Sequence, residues 1–533
     1  MNKFDSFENR DFKLVKSAIQ GFAKNARLVL DRRTTCGLGH WAVPLGRNNA
    51  FVGREHLLAT LLAKIPPGTN PDDCQRTVMK GLGGVGKTQI ALEAAYRLHR
   101  QDPGCSVFWV PAVDATSFEN AYRQIGQKLE IRGIDEDKVD VKVLVKAALS
   151  RDDAGRWLLI VDNADDKVLL FSRAKTPASK INNLPSIAPL EQYLPFSRHG
   201  SILFTTRNHK VAMRLAGTAS IIPIPEMERT ESRALLETNL DSCLIGNNES
   251  IQRLLDLLVD LPLAIKQAWA FMKANGTSVR DYLQIYQENS DTESALLSEE
   301  FYDEHRQSTE NAVNTTWLIS FRYITELDPL AAEYLRYICF FAEKDIPRYL
   351  LPSTTTLRTE KAIGTLTAYA FLTKRDGNSY DIHRLVQIAA RTWLKANGEW
   401  QAWATKALRW LAEVFPLPEH ENRQVWIGLL PHAQHILQFR KDIAYGEEAE
   451  QTLEDLLFKV GKSFDLLGKY DEAEAMLREA WQLYDTVLGR DHPSTLGSMN
   501  NLALVHRRLG RYDEVDQMRK IRSEVEEDTL SNE

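Results

Sequence analysis

The residues with the clearest chemical signature form a short glycine-rich run, Gly81-Leu82-Gly83-Gly84-Val85-Gly86-Lys87-Thr88. This run fits the pattern G-x-x-x-x-G-K-[ST] without a mismatch. Glycines in such a loop let backbone N–H groups surround phosphate oxygens, and the following helix adds its positive N-terminus. Lys87 would neutralise the β- and γ-phosphates, and the Thr88 hydroxyl would bind Mg²⁺. The sequence therefore predicts a nucleotide site formed by Gly81, Gly83, Gly84, Val85, Gly86, Lys87, Thr88 and Gln89.

Two further candidates follow apolar runs. Asp162 ends the run 157–161, and Arg207 follows the run 201–204 and two threonines. Open α/β sheets bind ligands beyond the carboxyl ends of their strands, so Asp162 is predicted to hold Mg²⁺ together with Thr88. A guanidinium at Arg207 would suit a γ-phosphate, although an arginine after a strand is usually a surface charge. The catalytic candidates are thus Lys87, Asp162 and Arg207.

The elements that must position these residues alternate between short apolar runs and helical stretches. Continuous apolar runs are typical of buried parallel strands, and the spacing leaves room for crossover helices. A P-loop nucleotide-binding domain is therefore predicted over 51–225, with a surface loop over 172–190 that is rich in Pro, Ser and Asn. The predicted strands lie at 77–79, 106–110, 157–161, 201–204 and 221–224.

The next part of the chain is mostly helical. A helical domain is predicted over 226–305, with a break at Pro262. Over 306–395, several helices precede two alternating segments joined by Asp376-Gly377-Asn378, a strong hairpin signal. Helices followed by one hairpin predict a winged-helix domain, and 396–456 is predicted to be a helical linker or a degenerate repeat.

The last third contains an internal repeat. Gly468, Tyr470 and Asp471 recur as Gly510, Tyr512 and Asp513, with flanking helical patterns. Such a turn resembles tetratricopeptide repeats, and the long period resembles the kinesin-light-chain variety. Tetratricopeptide repeats are therefore predicted over 457–525, as a helical solenoid at the C-terminal end.

The first fifty residues predict an amphipathic helical segment. Its apolar stripe has basic residues beside it, which indicates either a membrane-surface or partner segment or, more simply, a helix packed on the next domain. The segment is too short for an enzyme domain. The stripe consists of Phe12, Val15, Ile19, Phe22, Ala26 and Val29.

Composition narrows the class of protein. The 533 residues carry 66 Lys plus Arg and 72 Asp plus Glu, a net charge of −6, which disfavours sequence-independent nucleic-acid binding. Charged residues make up 26% of the chain and hydrophobic residues 44%, as in multidomain globular proteins. Because the five cysteines are scattered and no apolar run reaches a membrane span, a soluble cytoplasmic protein is expected.

The ordered motifs resemble those of the NB-ARC branch of the STAND class of P-loop NTPases, and most closely fungal NOD-like receptors with tetratricopeptide tails. The resemblance covers about 51–390 and extends through the repeats to about 520. Besides the phosphate loop, it is carried by Phe51-Val52-Gly53-Arg54-Glu55, the 158–162 strand, Thr205-Thr206-Arg207, Leu261-Pro262-Leu263-Ala264 and Ile382-His383-Arg384.

The resemblance implies roles for four further residues. Val52 and Arg54 would line the adenine and ribose side, and Pro262 would pack on the adenine. His383 would contact the β-phosphate of ADP and lock a closed state, although without the resemblance a core histidine would be the simpler interpretation. ADP or ATP with Mg²⁺ is the implied ligand, and signalling in innate immunity is the implied role.

Three positions depart from the family pattern. Asp260 replaces a glycine before Leu261, and Arg384 replaces the aspartate that follows the motif histidine. Asn163 stands where many relatives carry a second acid, and an amide cannot take a proton from water. Asp165 or Asp166 could substitute, or both could be solvated loop acids. ATP hydrolysis is therefore expected to be slow.

The expected function is a switch in which ADP holds the domains closed. Exchange for ATP, biased by a protein partner on the repeats, would favour an open state that forms homo-oligomers. One alternative is a transcription regulator whose winged helix binds DNA, but 313–351 has few cations for phosphate contacts. The other alternative is a repeat scaffold with a degenerate ATPase.

Overall fold

The computed structural model describes 39–68, 74–136, 138–172, 188–217, 220–293, 304–352, 354–375, 377–443 and 447–532. The apolar stripe at 12–29 and most of the 172–190 loop lie outside the described residues, so those two predictions stay predictions.

A six-stranded sheet with only parallel neighbours is the centre of the N-terminal half. The spatial order is β1-β3-β4-β5-β2-β6. All five runs predicted as strands belong to it, which confirms the predicted parallel sheet. The strands are β1 (Trp41–Ala42), β2 (Gln75–Lys80), β3 (Ser106–Pro111), β4 (Trp157–Asp162), β5 (Gly200–Thr206) and β6 (Ile221–Pro223).

Helices cover both faces of this sheet. Leu158 and Ile160 of β4 pack toward one face, whereas Leu159 and Val161 pack toward the other, as the two-residue period of a strand requires. Both faces are thus apolar, which explains the continuous apolar runs in the sequence. The helices are α1 (Glu55–Lys64), α2 (Lys87–Gln101), α3 (Ala115–Lys128), α4 (Val141–Leu149), α5 (Lys167–Phe171) and α6 (His209–Ala216), with a 3₁₀ turn at Leu190–Tyr193.

Strand β1 is a feature that the sequence analysis did not predict. It lies in the segment expected to be helical, yet Trp41 pairs with Val107 at the sheet edge. A Cβ atom on Gly39 would lie 2.4 Å from the Cys105 carbonyl carbon, so only glycine lets the chain approach β3 this closely. This part of the 1–50 segment therefore belongs to the sheet, and the expectation of a helical segment does not hold for it.

Five helices follow the sheet. The chain between the third and fourth of them turns sharply, with φ of +49° at both Val259 and Asp260. Pro262 then opens the next helix, where its missing N–H costs nothing. The helices are α7 (Arg229–Asn239), α8 (Ser242–Ile245), α9 (Asn248–Leu257), α10 (Pro262–Asn275) and α11 (Val279–Glu293).

The predicted winged-helix outline is present, with one more strand than expected. The hairpin turns at Gly377 and Asn378, which have φ of +88° and +65°. A two-residue strand, β7, pairs with β9 on the side away from β8 and is too short to show a sequence pattern. The elements are α12 (Glu304–Leu327), α13 (Pro329–Ile338), β7 (Ile346–Pro347), a 3₁₀ turn at Arg348–Leu350, α14 (Thr356–Ala368), β8 (Leu372–Lys374), β9 (Ser379–Ile382) and α15 (Arg384–Ala396).

The C-terminal part is helical throughout its described residues. Tyr470 and Tyr512 are the first residues of two helices, each preceded by a glycine with φ of +74°, so the two units of the repeat have the same turn. None of the helices among the described residues is long and apolar enough to cross a membrane. The helices are α16 (Trp400–Val414), α17 (Arg423–Leu437), α18 (Glu447–Leu466), α19 (Tyr470–Val487), α20 (Pro493–Arg508) and α21 (Tyr512–Asn532).

This helical tail packs back onto the sheet region through one face of α3. Thr116 donates to Gln434 of α17 (2.5 Å), and the Asn120 amide donates to a backbone carbonyl of the same helix (3.1 Å). Glu119 forms ion pairs with Lys142 at 2.8 Å and with Lys469, in the turn between α18 and α19, at 3.0 Å. One helix face thus joins the tail to the sheet region.

Candidate functional site

The order of the strands brings the predicted site residues to one edge of the sheet. Strand β5 lies between β2 and β4, so the loop after β2, the 205–207 segment and Asp162 are neighbours. The register pairs Lys80 with Thr206 and Val161 with Phe204. Carboxyl ends of parallel strands are where such sheets bind ligands.

The glycine-rich loop follows β2 and leads into α2. Gly84 has φ of +84°, and its carbonyl accepts a hydrogen bond from Leu263 N (3.2 Å). A Cβ atom at Gly84 would lie 3.1 Å from the Leu263 Cβ, and one at Gly81 would lie 2.3 Å from the Ile224 carbonyl oxygen. Only glycine fits where the loop contacts the start of α10 and the end of β6.

Lys87, the first residue of α2, lies over the loop. Its Nζ donates to the carbonyls of Gly81 (2.9 Å) and Leu82 (2.7 Å). Burial lowers the pKa of Lys87 to about 8, an effect that Asp165 and Asp162 offset only in part and Arg207 reinforces. An anion placed beside this buried ammonium group would stabilise its charged form.

Thr88 and Asp162 meet directly. The Thr88 hydroxyl donates to Asp162 Oδ1 (3.0 Å), and Thr205 donates to the same oxygen (2.6 Å). Asp162 is only 1% exposed. A hydroxyl beside a carboxylate is the hard oxygen pair that Mg²⁺ prefers, so these residues fit that ion.

Arg207 is paired with an acid of the neighbouring loop. Its Nε and backbone N–H donate to the two carboxylate oxygens of Asp165 at 2.7 and 2.6 Å. Although burial raises the pKa of Asp165, Arg207 keeps it below its usual value. Asp166 accepts hydrogen bonds from Val168 N (2.7 Å) and Leu169 N, which caps α5. Both acids considered as substitutes for Asn163 thus have structural partners.

Arg54, Val52 and Gln89 lie around the far end of the loop. The Arg54 guanidinium donates to the carbonyls of residues 225, 226 and 85, and its pKa is lowered by burial. Arg54 therefore joins β6 to the glycine-rich loop. Gln89 accepts from the Asn48 amide at 3.1 Å, and Val52 is half-buried.

Helix α10 contributes a cation that the sequence analysis missed. Pro262 is its first residue, and Lys266 follows one helical turn later, which places both on one side of the helix. The side chain of Lys266 is accessible to solvent, and desolvation by the surrounding protein lowers its pKa. The sequence did offer a signal for this residue, because a lysine four positions after Pro262 lies on the same side of a helix as the proline.

His383 directly precedes α15 in the winged-helix part. It caps α15, since its Nδ1 accepts from Leu385 N at 3.2 Å. A neutral imidazole with an acceptor at Nδ1 carries its hydrogen on Nε2 and can donate there. Burial together with Lys344, Arg207, Lys87 and Lys266 lowers the pKa of His383 to about 3. Four cations from three parts of the chain thus act on one ring.

The loop between α13 and β7 adds two more residues that sequence analysis did not predict. Lys344 is paired with Asp381 at 3.3 Å. Although burial would lower the pKa of Lys344, Asp381, Asp162 and Glu343 keep it above its usual value. Glu343 accepts from the Asn163 amide at 3.4 Å. Nothing in the local sequence pattern indicated that this loop reaches the end of β4.

The structure shows the surroundings of the three residues that depart from the family's sequence pattern. Asp260 occupies the left-handed region that favours glycine, and its carboxylate pairs with Arg229 at 2.9 Å. Arg384 is the exposed first residue of α15. Asn163 also has a positive φ, +61°, a conformation that asparagine tolerates well.

Comparisons with known proteins agree with this architecture. The tetratricopeptide repeat family model matches residues 452–518. The chain is 46% identical over 467 residues to a nucleotide-binding leucine-rich repeat (NLR)-like protein of Hyaloscypha variabilis. That match covers 86% of this chain and 46% of the relative, so the chain spans about half the length of the relative.

Two solved structures of archaeal proteins are similar at lower identity. A STAND protein with a tetratricopeptide repeat sensor from Pyrococcus horikoshii has a TM-score of 0.41 and 15% identity, over 91% of this chain and 66% of that one. A Walker-type ATPase of Pyrococcus abyssi has a TM-score of 0.32 and 14% identity, over 66% of this chain and 98% of that one. The chain is thus homologous over 86% of its length to an NLR-like protein, and it carries C-terminal tetratricopeptide repeats.

Proposed function

We propose that the chain is a cytoplasmic signalling switch that binds ADP or ATP in the cleft between the sheet, α10 and α15. The observation that carries the proposal is the convergence of the glycine-rich loop, the start of α10 and His383. Leu263 of α10 donates to the loop at Gly84, and the charges of Lys87 and Lys266 both act on the His383 ring. A bound nucleotide would therefore hold the three parts together.

In this proposal the loop N–H groups and Lys87 bind the phosphates. The Nε2–H of His383 donates to a phosphate oxygen and ties α15 to the nucleotide. Val52, Arg54 and Pro262 lie on the base and ribose side, with Arg54 acting through the chain that it fixes. Arg207 is released from Asp165 when a third phosphate competes for its guanidinium.

Thr88 and Asp162 would hold Mg²⁺, which would neutralise phosphate charge. Their hydroxyl and carboxylate oxygens are already in contact, so little reorganisation is needed. Thr205 keeps the carboxylate in place through its own hydroxyl.

Hydrolysis would be slow, so the enzyme activity is at most that of a weak ATPase. Asn163 cannot accept a proton from water, and Asp165 and Asp166 are held by Arg207 and by the start of α5. The nucleotide then acts mainly as a ligand whose identity sets the conformation.

The tetratricopeptide repeats would sense a protein partner. The ion pair between Lys469 and Glu119 joins the first repeat turn to the nucleotide-binding part. A partner that binds the repeats more tightly when this contact is broken would favour the open state, and opened chains would then form homo-oligomers.

The test is the nucleotide that copurifies with the full chain. We expect ADP at about one molecule per chain, detected by anion-exchange chromatography after denaturation. Lys87→Ala should remove it, whereas Lys64→Ala, at the end of α1, should not. Equal nucleotide content in Lys87→Ala and in the unchanged chain would refute the proposal.

A further inference from the structure

Glu343 is a carboxylate at the cleft that the proposed binding scheme does not use. The Asn163 amide donates to its Oε1 across 3.4 Å. The N–H of Ile382 donates to the Glu343 carbonyl oxygen at 3.0 Å. Strand β9, which leads directly into His383, therefore holds the loop that carries this acid. The winged-helix part thus brings a negative group to the residue that follows Asp162.

Three aspartates at the same edge of the sheet already have hydrogen-bond or ion-pair partners. Asp162 accepts from two threonine hydroxyls, Asp165 is paired with Arg207, and Asp166 caps α5. Glu343 differs, because no Lys, Arg or His among the described residues lies within ion-pair distance of its carboxylate. Among the described residues, the side chain that hydrogen-bonds to this carboxylate is the neutral amide of Asn163.

The surroundings leave this carboxylate poorly compensated. Glu343 is half-buried, and burial raises its pKa, which Lys344, Arg384 and Arg207 lower only in part. A negative group in such a position responds strongly to a second negative charge, because the effective dielectric constant inside a protein is low.

The position of Glu343 relative to the phosphates follows from the loop. In a phosphate loop the lysine reaches the β- and γ-phosphates and the threonine holds Mg²⁺. The contact of Thr88 with Asp162 therefore puts the end of β4 on the γ side. Asn163 is the next residue, so the Glu343 carboxylate that it binds lies beside the end of β4, on that same side.

We propose that Glu343 makes the closed arrangement select a nucleoside diphosphate over a triphosphate. A third phosphate would place like charges side by side between the sheet and the winged helix, whereas ADP leaves that space free. The triphosphate would then favour the open state through repulsion as well as through contacts. This inference rests on the proposed nucleotide binding and assigns its specificity to one side chain.

The test compares two affinities in the full chain. Isothermal titration calorimetry would measure ADP and the non-hydrolysable analogue AMP-PNP, each with Mg²⁺, after bound nucleotide has been removed. Glu343→Gln keeps the size and the acceptor for Asn163 but removes the charge. The matched control is Glu326→Gln, which removes a charge from an exposed site near the end of α12.

We expect Glu343→Gln to bind AMP-PNP about tenfold more tightly, with unchanged ADP affinity. Glu326→Gln, which removes a distant exposed charge, should match the unchanged chain. Limited proteolysis provides a second readout, since AMP-PNP should open Glu343→Gln less readily.

An unchanged ratio of ADP to AMP-PNP affinity in Glu343→Gln would overturn the inference. If ATP hydrolysis were lost in the same variant while that ratio stayed unchanged, Glu343 would act as a proton acceptor instead. If the unchanged chain binds neither nucleotide, the proposed function itself fails, and that outcome is distinct from both.

Discussion

Single side chains at the cleft are held in charge states that anion binding would change. Lys87 donates to two loop carbonyls and has no carboxylate within ion-pair distance among the described residues. Its pKa of about 8 lies below the usual value for lysine because burial disfavours its charge. A phosphate beside it would raise that pKa again.

The expected consequence is a pH-dependent affinity for ADP. Below pH 8 Lys87 is charged before binding, so the affinity should be constant with respect to this group. Above pH 8 the free protein must take up a proton to bind, and the affinity should fall by up to about tenfold per pH unit. Calorimetry in buffers of different ionisation enthalpy checks both the affinity and the proton uptake.

Circular dichroism at each pH serves as the control for folding. An affinity that stays flat up to pH 9.5 would show that Lys87 remains charged in the free protein and would contradict the expected linkage.

At the scale of elements, the first turns of two helices, α10 and α15, are each held by a hydrogen bond near the glycine-rich loop or His383. α10 starts at Pro262 against the glycine-rich loop, through the hydrogen bond from Leu263 to Gly84. α15 starts at Arg384, and His383 is its N-cap, with its Nδ1 accepting from Leu385 N at 3.2 Å. His383 thus has a structural role, and the proposed function adds a binding role that can be tested separately.

His383→Ala should lose both roles, and His383→Asn only one. Alanine removes the cap and should cost about 1 kcal/mol of stability, whereas asparagine is among the best N-caps. Both remove the Nε2–H donor, so both should weaken ADP binding by about tenfold, as for a hydrogen bond to a charged group. Thermal melting and calorimetry check the two effects.

The stability and the ADP affinity could both fall in His383→Ala and both stay unchanged in His383→Asn. That result would mean that His383 acts only as the N-cap of α15. Arg384→Ala, at the exposed next residue, is the matched control for a change at the start of α15.

At the scale of the whole molecule, the repeat tail is joined to the sheet region through Glu119 of α3. Glu119 is buried, and although burial would raise its pKa, Lys469 and Lys142 lower it to about 2. The carboxylate is thus charged at every physiological pH. Its stabilising contribution is present above its unfolded-state value, near pH 4.5, and is lost only as the pH falls toward 2.

Breaking this contact should loosen the hold on ADP. Lys469→Met removes one of two lysine partners of Glu119 while keeping a long apolar side chain. We expect ADP release to become about fivefold faster, because the closed arrangement loses a stabilising contact. Stopped-flow release of a fluorescent ADP derivative measures this, with Lys520→Met, an exposed lysine of α21, as control.

An unchanged release rate in Lys469→Met, with faster hydrogen exchange in α3, would show that the tail contact is broken without any coupling to the nucleotide. That outcome would remove the repeats from the proposed switch.

The sequence alone determined the features that depend on local chain geometry. The glycine-rich loop, the apolar strands, the hairpin at Gly377 and the 42-residue repeat each follow from neighbouring residues, because backbone conformation and burial period are local properties. The same reasoning placed Thr88 and Asp162 at one edge of the sheet, where their side chains meet.

Only the tertiary structure decided which distant residues share the cleft. Asp165 is bound by Arg207 at a separation of 42 residues, and Glu343 meets Asn163 at a separation of 180. Glu119 and Lys469, which join the tail to α3, are separated by even more of the chain. Such pairs leave no periodic pattern in the sequence, because they arise from how strands, loops and domains pack in three dimensions. The glycine-rich loop could therefore be identified from the sequence, whereas the charged residues packed around it could not.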